Sequence, residues 1–263
     1  MLWETSTFTL TCDRSGLDHD ISVGLPARFD KLDAPPVIVC LDGPWMFGTV
    51  LDATRIMSMS GEAPEAVVVG VSFTDQSMGE YLKQRARWYT PTAWVPPPET
   101  GVRGLEQDET GKVETFIAFL NDQLLPHLEA RYRTGERWFV GHSFSALCGV
   151  RALLVKPEMF DRWLLASPSI WWHDRVILDM EEAYAEANDD LPAHVFLSAG
   201  TDEEDSDPVG TFRMTSNVAV LGSTLASRGY PNLKLTRMEL DGDAHSSVIG
   251  NAISKGLRAL LTS

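Results

Sequence analysis

Cysteine is scarce in this sequence of 263 residues, and its distribution excludes two classes of site. The three cysteines, Cys12, Cys40 and Cys148, are odd in number, far apart and placed in apolar or helical contexts. This spacing is typical of buried thiols and fits neither a disulfide framework nor a cysteine metal site. We therefore expect a protein that needs no metal and no other cofactor.

Positive charge and long apolar runs are also lacking. Lys and Arg total 22 against 37 Asp and Glu, which gives a formal net charge of −15. Binding of nucleic acid needs clustered cations, so this balance argues against it. No apolar run approaches the length of a membrane span, and residues 1–5 lack the basic and apolar regions of a signal peptide. The expected location is cytoplasmic, and no feature of the sequence indicates an oligomeric state.

Strand and helix patterns alternate along most of the chain. Residues 3–12 and 19–25 predict an antiparallel hairpin, and a helical pattern follows most of the later strands. Those later strands are predicted at 37–41, 66–71, 137–140, 163–167, 194–199 and 233–240. The alternation predicts one α/β domain over residues 1–263, with a mostly parallel central sheet, an N-terminal antiparallel hairpin and helices on both faces.

A segment from about residue 73 to 101 shows little regular pattern. It contains arginines and aromatic residues and then three consecutive prolines at 96–98. Unstructured stretches of this length are usually functional loops or linkers. We expect an irregular segment that covers the active site, and a polyproline surface spacer is the alternative.

The stretch 137–149 predicts a strand, a sharp turn and a helix, with Ser143 at the apex. Gly141, Ser143 and Ser145 approximate the Gly-x-Ser-x-Gly elbow of α/β-hydrolases, with serine in place of the second glycine. A serine hydroxyl is a weak nucleophile, so it must stand beside a base and above N–H groups that hold an oxyanion. Ser143 is therefore the candidate nucleophile.

Chain order identifies a base and narrows the acid to one loop. In α/β-hydrolases the acid and then the histidine follow the serine, and His245 comes directly after the last predicted strand. His142, next to the nucleophile, is expected to point elsewhere. The acid should follow the strand that ends at Gly200. Spacing leaves four candidates open there: Asp202, Glu203, Glu204 and Asp205.

The backbone must also supply the oxyanion donors. The first should be the N–H of Phe144, the residue after the nucleophile. The second should come from the loop after the strand at 37–41. Because Pro44 has no N–H, this donor must be Gly43 or Trp45.

These motifs give the chain a strong resemblance to the putative-esterase family of α/β-hydrolases. That family includes the enterobactin-esterase-like (IroE-like) serine hydrolases, esterase D and the mycolyltransferases. The similarity is closest to the IroE-like branch and runs through nearly the whole chain. Its most specific elements are Gly141-His142-Ser143-Phe144 and the Ser-Pro-Ser-x-Trp-Trp segment at 167–172. Further matches lie at 41–43, 87–92, 116–132, 156–161 and 242–248.

The resemblance implies roles for particular residues. Carried over by position, the nucleophile is Ser143, the base is His245 and the acid is Glu203. Two positions depart from the family. Family members normally have glycine where this chain has Ser145. In the mycolyltransferases the residue after Asp-Gly donates to the oxyanion, and in this chain that residue is Pro44. The residues considered as pocket lining, with core packing as the alternative, are Trp45, Arg87, Tyr89, Phe144 and Trp172.

The predicted function is hydrolysis of carboxylic esters through an acyl-enzyme on Ser143. The resemblance points to siderophore-type lactones or other bulky esters as small-molecule substrates. One alternative is acyl transfer with the same triad, in which an alcohol or thiol replaces water. Another is a catalytically silent binding protein on a hydrolase scaffold, which the departures at Pro44 and Ser145 would permit.

Overall fold

One sheet of eight strands organises the computed structural model, which describes residues 3–97, 104–205 and 212–262. The antiparallel hairpin predicted at the N-terminus is formed by β1 (Glu4–Thr11) and β2 (Asp18–Leu25). The later strands are β3 (Val37–Leu41), β4 (Val67–Phe73), β5 (Arg137–His142), β6 (Arg162–Ala166), β7 (Ala193–Gly200) and β8 (Leu233–Leu240).

The strand order is β1-β2-β4-β3-β5-β6-β7-β8. Strand β2 pairs antiparallel with β4, and every neighbouring pair from β4 to β8 in this order is parallel. This arrangement confirms the mostly parallel sheet of an α/β-hydrolase. It also places the carboxyl ends of six strands along one edge, which is where open α/β sheets hold their sites.

Helices cover both faces of the sheet. The described helices are α1 (Gly43–Met59), α2 (Met78–Tyr89), α3 (Val113–Phe119), α4 (Leu125–Tyr132), α5 (Phe144–Val155), α6 (Trp172–Ala187), α7 (Met214–Ser227) and α8 (Val248–Thr262). Apolar residues of α1 and α8, such as Val50 and Ile253, form a core with one set of strand side chains. Residues of α5 and α7, such as Leu147 and Leu221, belong to the core on the opposite face.

Helix α2 departs from the sequence expectation. It lies inside the segment predicted to be irregular, and its inner face buries Tyr81, Arg85 and Tyr89. A charged residue at a buried position broke the apolar periodicity from which a helix is predicted. The end of that segment, residues 98–101, lies outside the described residues.

The three cysteines are free and buried, as their sequence contexts predicted. Within the described ranges, every helix is too short or too polar to cross a bilayer.

A buried histidine makes the fold sensitive to acid. His19 on β2 is 1 % exposed, and its ring stacks on Phe119 with the centroids 4.4 Å apart. Burial lowers the pKa of His19 to about 4 from its usual 6.5. Between these two pH values the unfolded chain binds a proton that the native state does not, so stability is complete above pH 6.5 and is lost towards pH 4.

We expect acid to remove about 3 kcal/mol of unfolding free energy through this one group. The measurement is urea unfolding of the wild type and of His19→Phe at pH 7 and near pH 4. Because phenylalanine suits the aromatic surroundings and binds no proton, the variant should lose correspondingly less stability between the two pH values. An equal loss in both proteins would contradict the assignment.

Candidate active site

Ser143 lies on a strained turn between β5 and α5. Its φ of 61° and ψ of −121° are unfavourable for a residue with a side chain, and such strain is typical of a nucleophile elbow. Gly141 permits the tight crossing, since a Cβ at this position would lie 2.7 Å from the backbone carbonyl carbon and oxygen of Ser145. The side chain of Ser143 is therefore lifted above the end of the sheet.

Ser145 fits the position where the family has glycine. Its Oγ donates a hydrogen bond to the carbonyl oxygen of His142 at 2.8 Å and accepts one from the N–H of His142 at 2.9 Å. The extra hydroxyl is thus fully used by the backbone of the elbow. Ser145 thus closes the turn with two hydrogen bonds.

A chain of hydrogen bonds links three residues predicted from the sequence. Ser143 Oγ lies 3.1 Å from His245 Nε2, and His245 Nδ1 lies 2.6 Å from Glu203 Oε2. Both distances are within the range of a nucleophile bonded to its base and of a base bonded to its orienting acid. The structure therefore brings together residues that are separated by as many as 102 positions in the chain.

In the loop after β7, Glu203 has different surroundings from the three neighbouring carboxylates. Glu203 is fully buried, and its second oxygen, Oε1, accepts hydrogen bonds from Ser167 Oγ at 2.6 Å and from the N–H of Gly200 at 2.7 Å. Asp202 and Asp205 are exposed, while Glu204 bonds to Arg213 and Ser216. Of the four carboxylates that spacing left open, Glu203 is the one that contacts His245.

Close packing of two loops aligns Glu203 with His245. A Cβ at Gly200 would lie 2.0 Å from the carbonyl oxygen of Asp243, so glycine is required where the two loops meet. The N–H of Asp202 donates to that same carbonyl oxygen at 3.1 Å, and the N–H of Gly242 donates to Thr201 Oγ1 at 2.9 Å. These contacts fix the acid relative to the base.

The sequence reasoning missed a buried ion pair between Arg85 and Asp42. Arg85 on α2 donates to both carboxylate oxygens of Asp42, at 2.7 and 2.9 Å, and to the carbonyl oxygen of His142 at 3.3 Å. Its guanidinium lies 4.9 Å from the ring centroid of Trp45 and 5.6 Å from that of Phe144. Arg85 therefore joins the start of α1 to the elbow.

The two candidates for the second oxyanion donor, Gly43 and Trp45, occupy different positions in the first turn of α1. The N–H of Trp45 donates to the carbonyl oxygen of Asp42 at 2.9 Å, so a substrate oxyanion would have to compete for it. Gly43 and Phe144 are the first residues of α1 and α5. The first N–H groups of a helix have no acceptor within the helix.

The Ser143 pocket is a cavity of about 270 Å³. It is lined by Trp45, Arg85, His142, Ser143, His245, Ser246 and Ile249. Trp45 was among the residues predicted to line it. Arg85 was not predicted, although it lies two positions before Arg87 in the segment that was expected to cover the active site.

Arg87, Tyr89 and Trp172, predicted to bind substrate, are not among the lining residues. Tyr89 is fully buried in the aromatic core against Phe73, and Arg87 forms an ion pair with Glu109. Trp172 is fully buried with its indole N–H donating to the carbonyl oxygen of Thr92 at 3.3 Å. Tyr89 and Trp172 therefore belong to the core, which was the alternative considered for them, and Arg87 is partly exposed in its ion pair.

His142 was expected to point away from the site, and the structure differs. Its buried ring lies 4.5 Å from the His245 ring, measured between centroids, and lines the Ser143 pocket. Burial, together with the charges of His245 and Arg85, holds the pKa of His142 well below its usual value. A neutral imidazole at this position supports the catalytic ring without adding a second positive charge.

Comparison with known proteins identifies the family of this chain. A family model described as "Putative esterase" matches residues 14–233, a range that contains Ser143 and Glu203 and stops before His245. The chain is 31% identical over 237 residues to the ferri-bacillibactin esterase BesA of Bacillus subtilis, covering 86% of this chain and 78% of that protein. It is 26% identical over 278 residues to the siderophore triacetylfusarinine C esterase of Aspergillus fumigatus, covering 95% and 90%.

A solved structure is similar over nearly the whole chain. The siderophore hydrolase EstA from Aspergillus nidulans superimposes with a TM-score of 0.83 at 25% sequence identity, covering 98% of this chain and 95% of that one.

Proposed function

Because the chain belongs to the putative-esterase family, we propose that it is a serine hydrolase that cleaves carboxylic esters through an acyl-enzyme on Ser143. The observation that carries this proposal is the unbroken chain of hydrogen bonds from Ser143 through His245 to Glu203. The same three residue types act in unrelated hydrolases, because an alcohol needs a base and the base needs an orienting carboxylate.

Each step of the reaction has a residue to perform it. His245 Nε2 takes the proton of Ser143 Oγ as this oxygen attacks the ester carbonyl, and then gives the proton to the departing alcohol. Glu203 accepts the Nδ1–H of His245 and stabilises the imidazolium that forms. A water molecule then gives a proton to His245 as it attacks the acyl-enzyme. His245 returns this proton to Ser143 Oγ, and the acid is released.

For the oxyanion we propose the N–H groups of Phe144 and Gly43. Both begin helices, where N–H groups lack intrahelical acceptors and the positive end of the helix dipole favours an anion. Pro44 then costs the hole nothing, because the donor precedes it. Arg85 bonds to Asp42 at the start of α1 and to the carbonyl oxygen of His142 before α5, and so links the two helix starts.

The substrate is proposed to be a bulky ester of the siderophore type. The names of the bacillibactin and triacetylfusarinine C esterases indicate that relatives act on such compounds. The two alternatives receive less support. The side chain of His245 is 26% exposed, so water reaches the base and competes with any acceptor alcohol. A silent scaffold would have no need for an aligned and buried acid.

The test is turnover of a panel of esters of increasing size, one cyclic trilactone included, together with labelling by a fluorophosphonate probe. We expect hydrolysis of small activated esters, preference for larger ones, and covalent modification of Ser143. Added acceptor alcohols should not divert the acyl group. Absence of both turnover and labelling in folded protein would refute the esterase assignment, and transfer to the alcohol would favour the acyltransferase.

A further inference from the structure

The two edge strands of the central sheet, β1 and β8, differ in charge. Strand β8 carries Lys234, Arg237 and Glu239, whereas β1 carries one charged side chain, that of Glu4 at its first position. Natural proteins place charged residues and prolines on edge strands because these prevent pairing with another chain. Strand β1 has no proline, and its residues 5–11 are uncharged. One edge of the sheet is therefore protected against pairing, and the other is open.

The backbone of β1 alternates between groups that bond to β2 and groups that point outward. The N–H of Cys12 donates to the carbonyl oxygen of Leu17 at 2.8 Å, and this pair continues the register of β1 with β2. Because hydrogen-bonded pairs alternate along an antiparallel ladder, the even-numbered residues of β1 bond to β2. The backbone groups that face outward are those of Thr5, Thr7, Thr9 and Thr11.

One end of this edge is already satisfied within the chain. Gln123 Nε2 donates to the carbonyl oxygen of Thr11 at 3.2 Å, which agrees with the outward direction of the odd-numbered residues. In the described part of the chain, no group bonds to the outward N–H and carbonyl groups of Thr5, Thr7 and Thr9. These three residues are left to bond to water or to another strand.

The side chains of β1 also favour a further strand beside it. Phe8 and Leu10 pack against the core, yet both remain partly exposed at the edge of the sheet. A strand added to this edge would cover them, because side chains opposite each other on neighbouring strands are in contact. The uncovered apolar area and the unpaired backbone groups therefore fit the same kind of occupant, an extended strand.

We propose that β1 pairs antiparallel with β1 of a second copy of this chain, and so joins two sheets of eight strands. The strand is complementary to itself. A twofold axis that passes through Thr7 perpendicular to the sheet places Thr7 opposite Thr7 and Thr5 opposite Thr9. All of these residues face outward, so each pair exchanges two hydrogen bonds. This register leaves Thr11 bonded to Gln123.

The same register places no like charges opposite each other. Glu4 lies opposite the uncharged Leu10, and Ser6 lies opposite Phe8, which it helps to cover. The formal net charge of −15 on each copy opposes association at longer range. Salt screens repulsion between exposed charges, so added salt should strengthen this dimer, whereas it would weaken a dimer held by ion pairs.

The first test is sedimentation equilibrium of the wild type and of two Thr7 variants. Thr7→Pro removes an outward N–H and no bond to β2, and proline is tolerated on edge strands where its nitrogen faces solvent. The dimer loses two hydrogen bonds at its axis, so Kd should rise by about thirtyfold. Thr7→Val is the matched control. It keeps the N–H and the β-branched shape, and its Kd should stay close to that of the wild type.

A cross-linking measurement does not depend on how the chain tolerates proline. Thr7→Cys places two thiols across the axis with their Cα atoms roughly 5.5 Å apart, so oxidation by molecular oxygen should link the copies through a disulfide. Ser22→Cys is the matched control, because Ser22 lies opposite Thr7 on β2, one strand further from the axis. The three native cysteines are buried and should not link the wild type.

The outcomes separate clearly. A mass that rises with concentration towards twice 29.1 kDa, falls in Thr7→Pro and is trapped by Thr7→Cys would support the proposal. A wild type that stays monomeric at about 100 μM would overturn it. So would a dimer that Thr7→Pro leaves unchanged and that Thr7→Cys links no better than Ser22→Cys. Circular dichroism verifies that each variant is folded.

Discussion

Ester turnover should fall by about three orders of magnitude or more when Ser143 is replaced by alanine. The hydroxyl oxygen of Ser143 is the atom that forms the acyl-enzyme, and it lies 3.1 Å from the nitrogen that accepts its proton. Without it, the remaining groups can hold the ester and its oxyanion but cannot attack the carbonyl. The measurement is kcat/KM for a 4-nitrophenyl ester, with circular dichroism to verify the fold.

A neighbouring serine provides the control. Ser169 Oγ lies 3.3 Å from Ser143 Oγ, and Ser169 is buried. Among the described residues, no imidazole bonds to the hydroxyl of Ser169, so Ser169→Ala should cost far less turnover than Ser143→Ala. If Ser169→Ala abolished activity and Ser143→Ala did not, the nucleophile would be misassigned.

The fold and two residues of the proposed triad were predictable because they depend on backbone arrangement. Alternating strands and helices imply a parallel sheet, and a parallel sheet brings the carboxyl ends of its strands to one edge. Ser143 follows β5 and His245 follows β8 at that edge. Knowing which strand each residue follows was enough to expect the two to meet, despite the 102 positions between them.

The residues that were missed depend on side-chain direction, which spacing does not reveal. Arg85 is buried against Asp42, 43 positions earlier, and nothing in the local pattern marks it as different from Arg87. A buried arginine on the inner face of α2 also concealed that helix in an apparently irregular segment. The orientation of His142 was misjudged for a similar reason, since its ring lies next to that of His245.

The acid shows where sequence reasoning and the structure complement each other. Because four carboxylates follow one another in this loop, spacing could not identify the acid, and only the family resemblance pointed to Glu203. In the structure, Glu203 is the carboxylate of the four that bonds to His245, and it is buried with hydrogen bonds donated by Ser167 and Gly200. A fully buried carboxylate is costly unless it is bonded in this way.

Glu203→Gln should lower kcat/KM by about three to four orders of magnitude while the fold is preserved. Glutamine has the same shape and can still accept from Ser167 and Gly200 through its amide oxygen. The amide group that then faces His245 Nδ1 carries hydrogens, so it favours the tautomer with the proton on Nε2. That tautomer cannot take the proton of Ser143, and no charge remains to stabilise the imidazolium. The measurement is kcat/KM of the purified variant with a small activated ester.

Glu204→Gln is the matched control, because it makes the same change one residue later. Glu204 bonds to Arg213 and Ser216 on the partly exposed side of the loop and has no contact with His245 among the described residues. Its replacement should leave turnover of a small ester close to that of the wild type. If Glu203→Gln retained nearly full activity, Ser143 and His245 would suffice as a dyad, and the role of Glu203 would be to hold the two loops together. A large loss in Glu203→Gln alone requires the carboxylate in the reaction, because both variants keep their side-chain shape and differ in which of them faces the base.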